Sequence, residues 1–150
     1  EIYPGDWSSD VCSSDLATNH GLELVRYSVS SSNEIQQVVE SMVGKVDVAY
    51  TPTDNTIAAG MATVTMITND NKLPTICGEE GMVDNGGLAT YGINYEELGK
   101  LAGQMAARIL RGESKPADMA IEHLDASKCT LKTNEETARK LGIDLSVLNS

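Results

Sequence analysis

The residues best equipped for chemistry are Thr53, Asp54 and Asn55, which follow the apolar run at 46–51 (VDVAYT) and Pro52. A hydroxyl, a carboxylate and an amide in succession offer hydrogen-bond donors and acceptors together with one negative charge. That set suits a small polar ligand. Asp54 can pair with an ammonium, while Thr53 and Asn55 supply further hydrogen bonds. The plainer alternative is that Asp54 or Asn55 caps a following helix, a common use of both residue types. A second candidate is Gly78-Glu79-Glu80-Gly81, with Glu80 and Gly81 favoured as ligand contacts; the alternative is a pair of solvated acids. Tyr50 and Tyr91 could stack on an apolar or aromatic group, or equally pack within a sheet. Gly86 and Gly87 read as a turn rather than a contact.

Catalytic patterns are lacking in the sequence. It holds no G-x-S-x-G elbow, no phosphate loop and no Cys–His pairing. Asp54 at the end of a strand has the position of an aspartyl nucleophile, but such a site needs magnesium ligands and a nearby lysine. Glu79 and Glu80 are present there without a suitable lysine, so no catalytic residue is assigned. Cys12, Cys77 and Cys129 are odd in number and widely spaced, and His20 and His123 are isolated, so neither a metal nor a cofactor is expected. Cys77 and Cys129 lie in apolar runs and read as small core residues.

With 150 residues, 41% of them apolar, the chain suits one domain with a real core. Eleven basic against twenty-two acidic side chains give a formal charge of −11. Such a surface repels phosphate backbones, which argues against nucleic acid as a partner. No stretch approaches the roughly 20 apolar residues that span a bilayer, and no signal-peptide pattern is visible. Residues 1–16 differ from the rest: Ser-Ser-Asp occurs at 8–10 and again at 13–15, without helical or strand periodicity. Residues 6–16 also resemble a translated sequencing adapter. We expect 1–16 to be a non-native or disordered tail; the alternative is a flexible acidic linker.

Elements that alternate between strand and helix must position the candidates. Strands are expected at 22–30, 46–51, 73–78, 88–93, 119–124 and 129–132. A helix capped by Ser32 and stopped by Gly44 follows the first, and another spans 56–68; residues 79–87 read as a loop. The clearest helix is 95–110, with Leu98, Leu101, Met105 and Ile109 on one face. Asn134 caps a last helix at 135–141, closed by Gly142. This alternation predicts an α/β fold, a parallel sheet flanked by helices. In such sheets ligands bind beyond the carboxyl ends of strands, which singles out the loops at 51–56 and 78–87.

Several phrases then fall into a familiar order. They are Val46-Asp-Val-Ala-Tyr50, Thr53-Asp54-Asn55, Leu73-Pro-Thr-Ile76, Gly86-Gly-Leu-Ala89, Asn94-Tyr95 with Leu98-Gly99, Ile109-Leu-Arg-Gly112, and Thr133-Asn134 with Leu141-Gly142-Ile143. The series resembles the ABC-transporter substrate-binding proteins of the tryptophan/tyrosine-binding type, which have the type I periplasmic-binding fold. The resemblance covers residues 17–150 and implies the C-terminal part of a two-lobed solute-binding protein. Residues 17–88 and about 119–150 would belong to the second lobe, lacking its first strand and helix, and about 89–118 would cross to a missing first lobe. It further implies capture of a small-molecule solute, an amino acid above all, by lobe closure and delivery to ABC permease subunits. The parent would be a periplasmic or extracellular lipoprotein held at the membrane by a lipid anchor. Two other readings are the effector domain of a transcriptional repressor, which shares the fold class, and an α/β enzyme using Asp54.

Overall fold

The computed structural model describes residues 17–149; the tail expected at 1–16, with Cys12, lies outside the described residues. Four strands make one sheet in the order β1 (Ala49–Thr51), β2 (Thr75–Cys77), β3 (Ala89–Ile93) and β4 (Cys129–Thr133). β1, β2 and β3 run parallel, with Tyr50 opposite Ile76 and Ile76 opposite Ala89. β4 departs from the expected parallel arrangement and pairs antiparallel to β3, from Ala89 against Thr133 to Ile93 against Cys129. Helices among the described residues accompany the sheet: α1 (Ile35–Met42), α2 (Asn55–Ala59), α3 (Met61–Asp70), α4 (Glu80–Asp84), α5 (Tyr95–Leu110) and α6 (Glu135–Leu141). No helix among the described residues is long and apolar enough to cross a membrane.

The core forms on both faces of the sheet because consecutive strand residues point to opposite sides. Cys77 of β2 joins Ile35, Val39, Met61, Val64 and Met82 in one buried cluster, under α1, α3 and α4. Its neighbour Ile76 packs into a second cluster with Leu88, Ala89 and Ala138, under α6 and Ile143. The expected fold class is thus the observed one.

Where helices carry their stop signals locally, expected and observed bounds coincide. Asn94 accepts hydrogen bonds from the amides of Glu96 and Glu97 and opens α5. Asn134 accepts from Thr137, and Gly142 closes α6 at φ +75°, the left-handed conformation that favours glycine.

Five expectations are corrected. Residues 22–30 and 119–124 are not strands. A strand exists through its ladder, and neither segment finds one among the described residues. Leu22, Leu24, Val25 and Ile121 are exposed, and only Val29 reaches the first cluster. The loop at 79–87 contains α4, because the Glu79 carboxylate accepts from the Gly81 amide at 3.0 Å and caps a short helix. The helix at 56–68 is broken at Gly60, where a Cβ would lie 2.2 Å from Cδ1 of the buried Ile35. Ser32 is not a cap; a 3-10 turn at Ser32–Glu34 precedes α1, and Glu34 accepts from the Ser30 amide. Separately, β3, at the start of the segment at about 89–118, pairs with β2 and β4, and the chain leaves the sheet after it, at Asn94.

A cleft at the carboxyl ends of two parallel strands

The loops leaving β1 and β2 are locked together. The Gly78 amide donates to Thr51 O at 2.8 Å, and Thr53 Oγ1 donates back to Gly78 O at 3.1 Å. A Cβ on Gly78 would sit 2.6 Å from Thr53 N, so only glycine allows this approach. Beside the seam lies a cleft of about 290 Å³, lined by Thr53, Asp54, Asn55, Glu79, Met82 and Tyr95, with Ala58 completing the wall.

Asp54 is both cap and cleft residue. Its Oδ1 accepts from the Thr56 amide at 2.7 Å and the Ile57 amide at 3.0 Å, and Oδ2 takes no hydrogen bond among the described residues. The helix-cap reading is therefore correct, and it leaves one carboxylate oxygen for a ligand. Asn55, the first residue of α2, is exposed at the cleft.

The second candidate loop divides differently from expectation. Glu79 lines the cleft. Glu80 turns toward β4, where Oε1 accepts from Thr130 Oγ1 at 3.0 Å and Oε2 lies 4.0 Å from Lys132 Nζ. Lys132 in turn donates to Asp84 at 2.7 Å, and this bond, with the nearby acids, raises its pKa. Gly81 spends its amide on Glu79 and does not line the cleft. Tyr50 and Tyr91 are exposed and do not line it. Gly86 makes a turn at φ +100°, whereas a Cβ on Gly87 would meet Cys77 Sγ at 2.3 Å.

Sequence reasoning missed Met82 and Tyr95 as lining residues, and within the second candidate loop it favoured Glu80 and Gly81 over Glu79. Glu79 carried a signal, since it is the first acid after a strand and two residues before the glycine it caps. Tyr95 carried none beyond its place at a helix start.

The cleft therefore presents two carboxylates, the Thr53 and Tyr95 hydroxyls, an amide and a few apolar groups, and no lysine or arginine among the described residues lines it. It is chemically fit to receive an ammonium group and an adjoining apolar body. No group of His, Cys, Asp and Glu among the described residues could hold a metal ion. Burial pushes the Cys77 thiol pKa up, which disfavours its thiolate. A larger open groove of about 780 Å³ runs between α3 and α6; several of its polar groups are engaged with one another, while Asn69 Oδ1 is buried without a hydrogen-bond partner among the described residues. There Lys72 Nζ donates to Lys140 O, and Thr137 Oγ1 donates to Gly86 O.

Comparison with known proteins gives a consistent picture. The family described as ABC transporter substrate binding protein matches residues 12–148. The tyrosine-binding protein of Clostridioides difficile (strain R20291) is 42% identical over 127 residues, 85% of this chain and 36% of its own length. The ABC domain in complex with L-Trp from Streptococcus pneumonia superposes with a TM-score of 0.79 at 34% identity, over 94% of this chain and 48% of that one. A ligand-free, open substrate binding protein with adhesive properties from Clostridium difficile gives 0.71 at 35% identity, over 93% and 48%. The chain thus spans 36% of the curated relative and just under half of each of these solved chains.

Proposed function

Because this chain belongs to the ABC transporter substrate-binding protein family, we propose that it forms one wall of a solute cleft that closes on an amino acid. An aromatic amino acid is the favoured solute, since one relative is named for tyrosine and another was solved with L-Trp. The protein would hand its solute to ABC permease subunits from the periplasmic or extracellular side, tethered by a lipid anchor, and would make or break no bond. The family match favours this over a repressor's effector domain or an enzyme using Asp54.

One observation carries the reading: the seam between Thr53 and Gly78 holds Asp54 and Glu79 in a common cleft at the carboxyl ends of β1 and β2. That is where open α/β sheets bind ligands. In this reading Asp54 Oδ2 takes the ammonium, with Thr53 and Asn55 beside it. Glu80 and Gly81 act from behind, Glu80 by tying α4 to β4 and Gly81 by holding Glu79. The chain then leaves the sheet at Asn94 toward an opposing lobe, and α5, which buries no residue, would pack there. It returns through residues 119–128 to β4. Hinge closure of two lobes is the usual working motion of such proteins.

The test separates the cap from the ligand contact. Asp54→Asn keeps an oxygen that can cap α2 but removes the charge. Titrated with L-tyrosine or L-tryptophan, this variant should lose affinity at least about tenfold, consistent with a lost charge-assisted bond, with an unchanged melting temperature. Asp54→Ala should lose binding and also about 1 kcal/mol of stability. Full affinity in Asp54→Asn would remove the carboxylate from the site.

A further inference from the structure

We propose that Tyr95 sets the selectivity of the cleft, its ring stacking on the aromatic side chain of the bound solute. The inference rests on reading the cleft as an amino-acid site. Tyr95 is the only aromatic residue among the described lining residues, and its side chain is held at the cleft by its place as the first residue of α5, directly after Asn94. It is 58% exposed, which leaves most of a large apolar ring in water. Its hydroxyl makes no hydrogen bond among the described residues, and α5 buries no residue of its own. The ring therefore does little for the fold, which is unusual for so large a side chain beside a cavity.

The chemistry of the lining divides into two kinds. Thr53, Asp54, Asn55 and Glu79 are polar, whereas Tyr95, Met82 and Ala58 are apolar. A zwitterion with an apolar side chain needs both kinds. With the acids taking the ammonium, Tyr95 is the group that meets the side chain, since Met82 is 1% exposed and belongs to the core behind the cleft wall. Offset or edge-to-face ring pairs gain energy beyond simple burial, so a tyrosine here favours aromatic over aliphatic solutes.

The test compares Tyr95→Phe, Tyr95→Leu and Tyr95→Ala with the unaltered chain, using L-tyrosine and L-tryptophan as probes in calorimetric or NMR titrations. Tyr95→Phe should keep affinity within about twofold, because the ring is retained. Tyr95→Leu and Tyr95→Ala should each weaken binding about five- to tenfold, the size expected of one lost ring pair. All three should melt near the temperature of the unaltered chain. If Tyr95→Leu binds as well as Tyr95→Phe, bulk rather than stacking is at work and the inference fails. Should Asp54→Asn abolish binding while Tyr95→Ala leaves it intact, the cleft stands and the role of Tyr95 is overturned. If neither variant changes binding, the solute does not sit in this cleft and both readings fall together.

Discussion

Gly78 and Gly87 show how far single residues fix the geometry of this site. At Gly78 the obstacle to a side chain is backbone: Thr53 N at 2.6 Å and the Pro52 carbonyl carbon at 2.9 Å. Neither can swing aside, so Gly78→Ala should cost about 1–3 kcal/mol, the usual range for forced overpacking, and should pry the two cleft loops apart. A urea midpoint unchanged from that of the unaltered chain would show that the seam is looser than it looks. At Gly87 the obstacle is chiefly a side chain, Cys77 Sγ at 2.3 Å, with Met82 O behind it at 3.1 Å. Gly87→Ala should therefore destabilise less in a Cys77→Ala background, a positive coupling that a double-mutant cycle can measure. Additive effects would mean that the sulfur gives way freely. Reading these residues from sequence alone succeeded unevenly. Thr53-Asp54-Asn55 was legible because a polar triplet after a buried strand has few places to go. Glu79 and Glu80 were both candidates, and which of them faces the cleft depends on the cap of a short helix; Tyr95 joins the cleft lining only through the tertiary fold.

Elements were legible where their signals are local. α5 and α6 begin at asparagine caps and end where the sequence supplies a stop, so periodicity and capping together set their bounds. The segment at 22–30 has strand composition, yet composition is only half of a strand; the other half is a neighbour to bond with. Gly60 stands at the break of the expected helix, where Cδ1 of Ile35 from another helix would crowd an added Cβ. The two well-signalled helices also carry a pH dependence. A hydrogen bond and ion pair from Lys140 hold the Glu136 carboxyl below its ordinary pKa, and Lys100 does the same for Glu97. Folded values lower than unfolded ones stabilise at pH above the ordinary glutamate range, and that stabilisation is lost as the pH falls through the lowered values. Melting temperature should thus fall modestly on acidification below that range, and less so in high salt, because both pairs are exposed. A Lys100→Ala, Lys140→Ala double variant should show a flatter acid dependence; an identical curve would assign the effect to other carboxyls.

Across the whole molecule, burial is unevenly shared, and stability should follow it. The two core clusters join α1, α3, α4 and α6 to the sheet. α5 is the longest helix of the described chain, yet none of its residues is buried and Leu110 is 87% exposed. Helices in proteins owe most of their stability to a packed face rather than to propensity, so length alone does not protect α5. Local opening free energies track buried apolar contact. Amide hydrogen exchange should accordingly be slowest in α1, α3, β1 and β2. α5 and the segment at 113–128 should exchange much faster, despite the good caps of α5. An aromatic amino acid added at saturating concentration should slow exchange around residues 53–57 and 79–82 and leave α6 unaffected, because the cleft and α6 belong to different parts of the fold. Equal protection in α5 and α3 at every protein concentration would contradict this distribution, since it would require an apolar cover on α5 that these contacts do not supply.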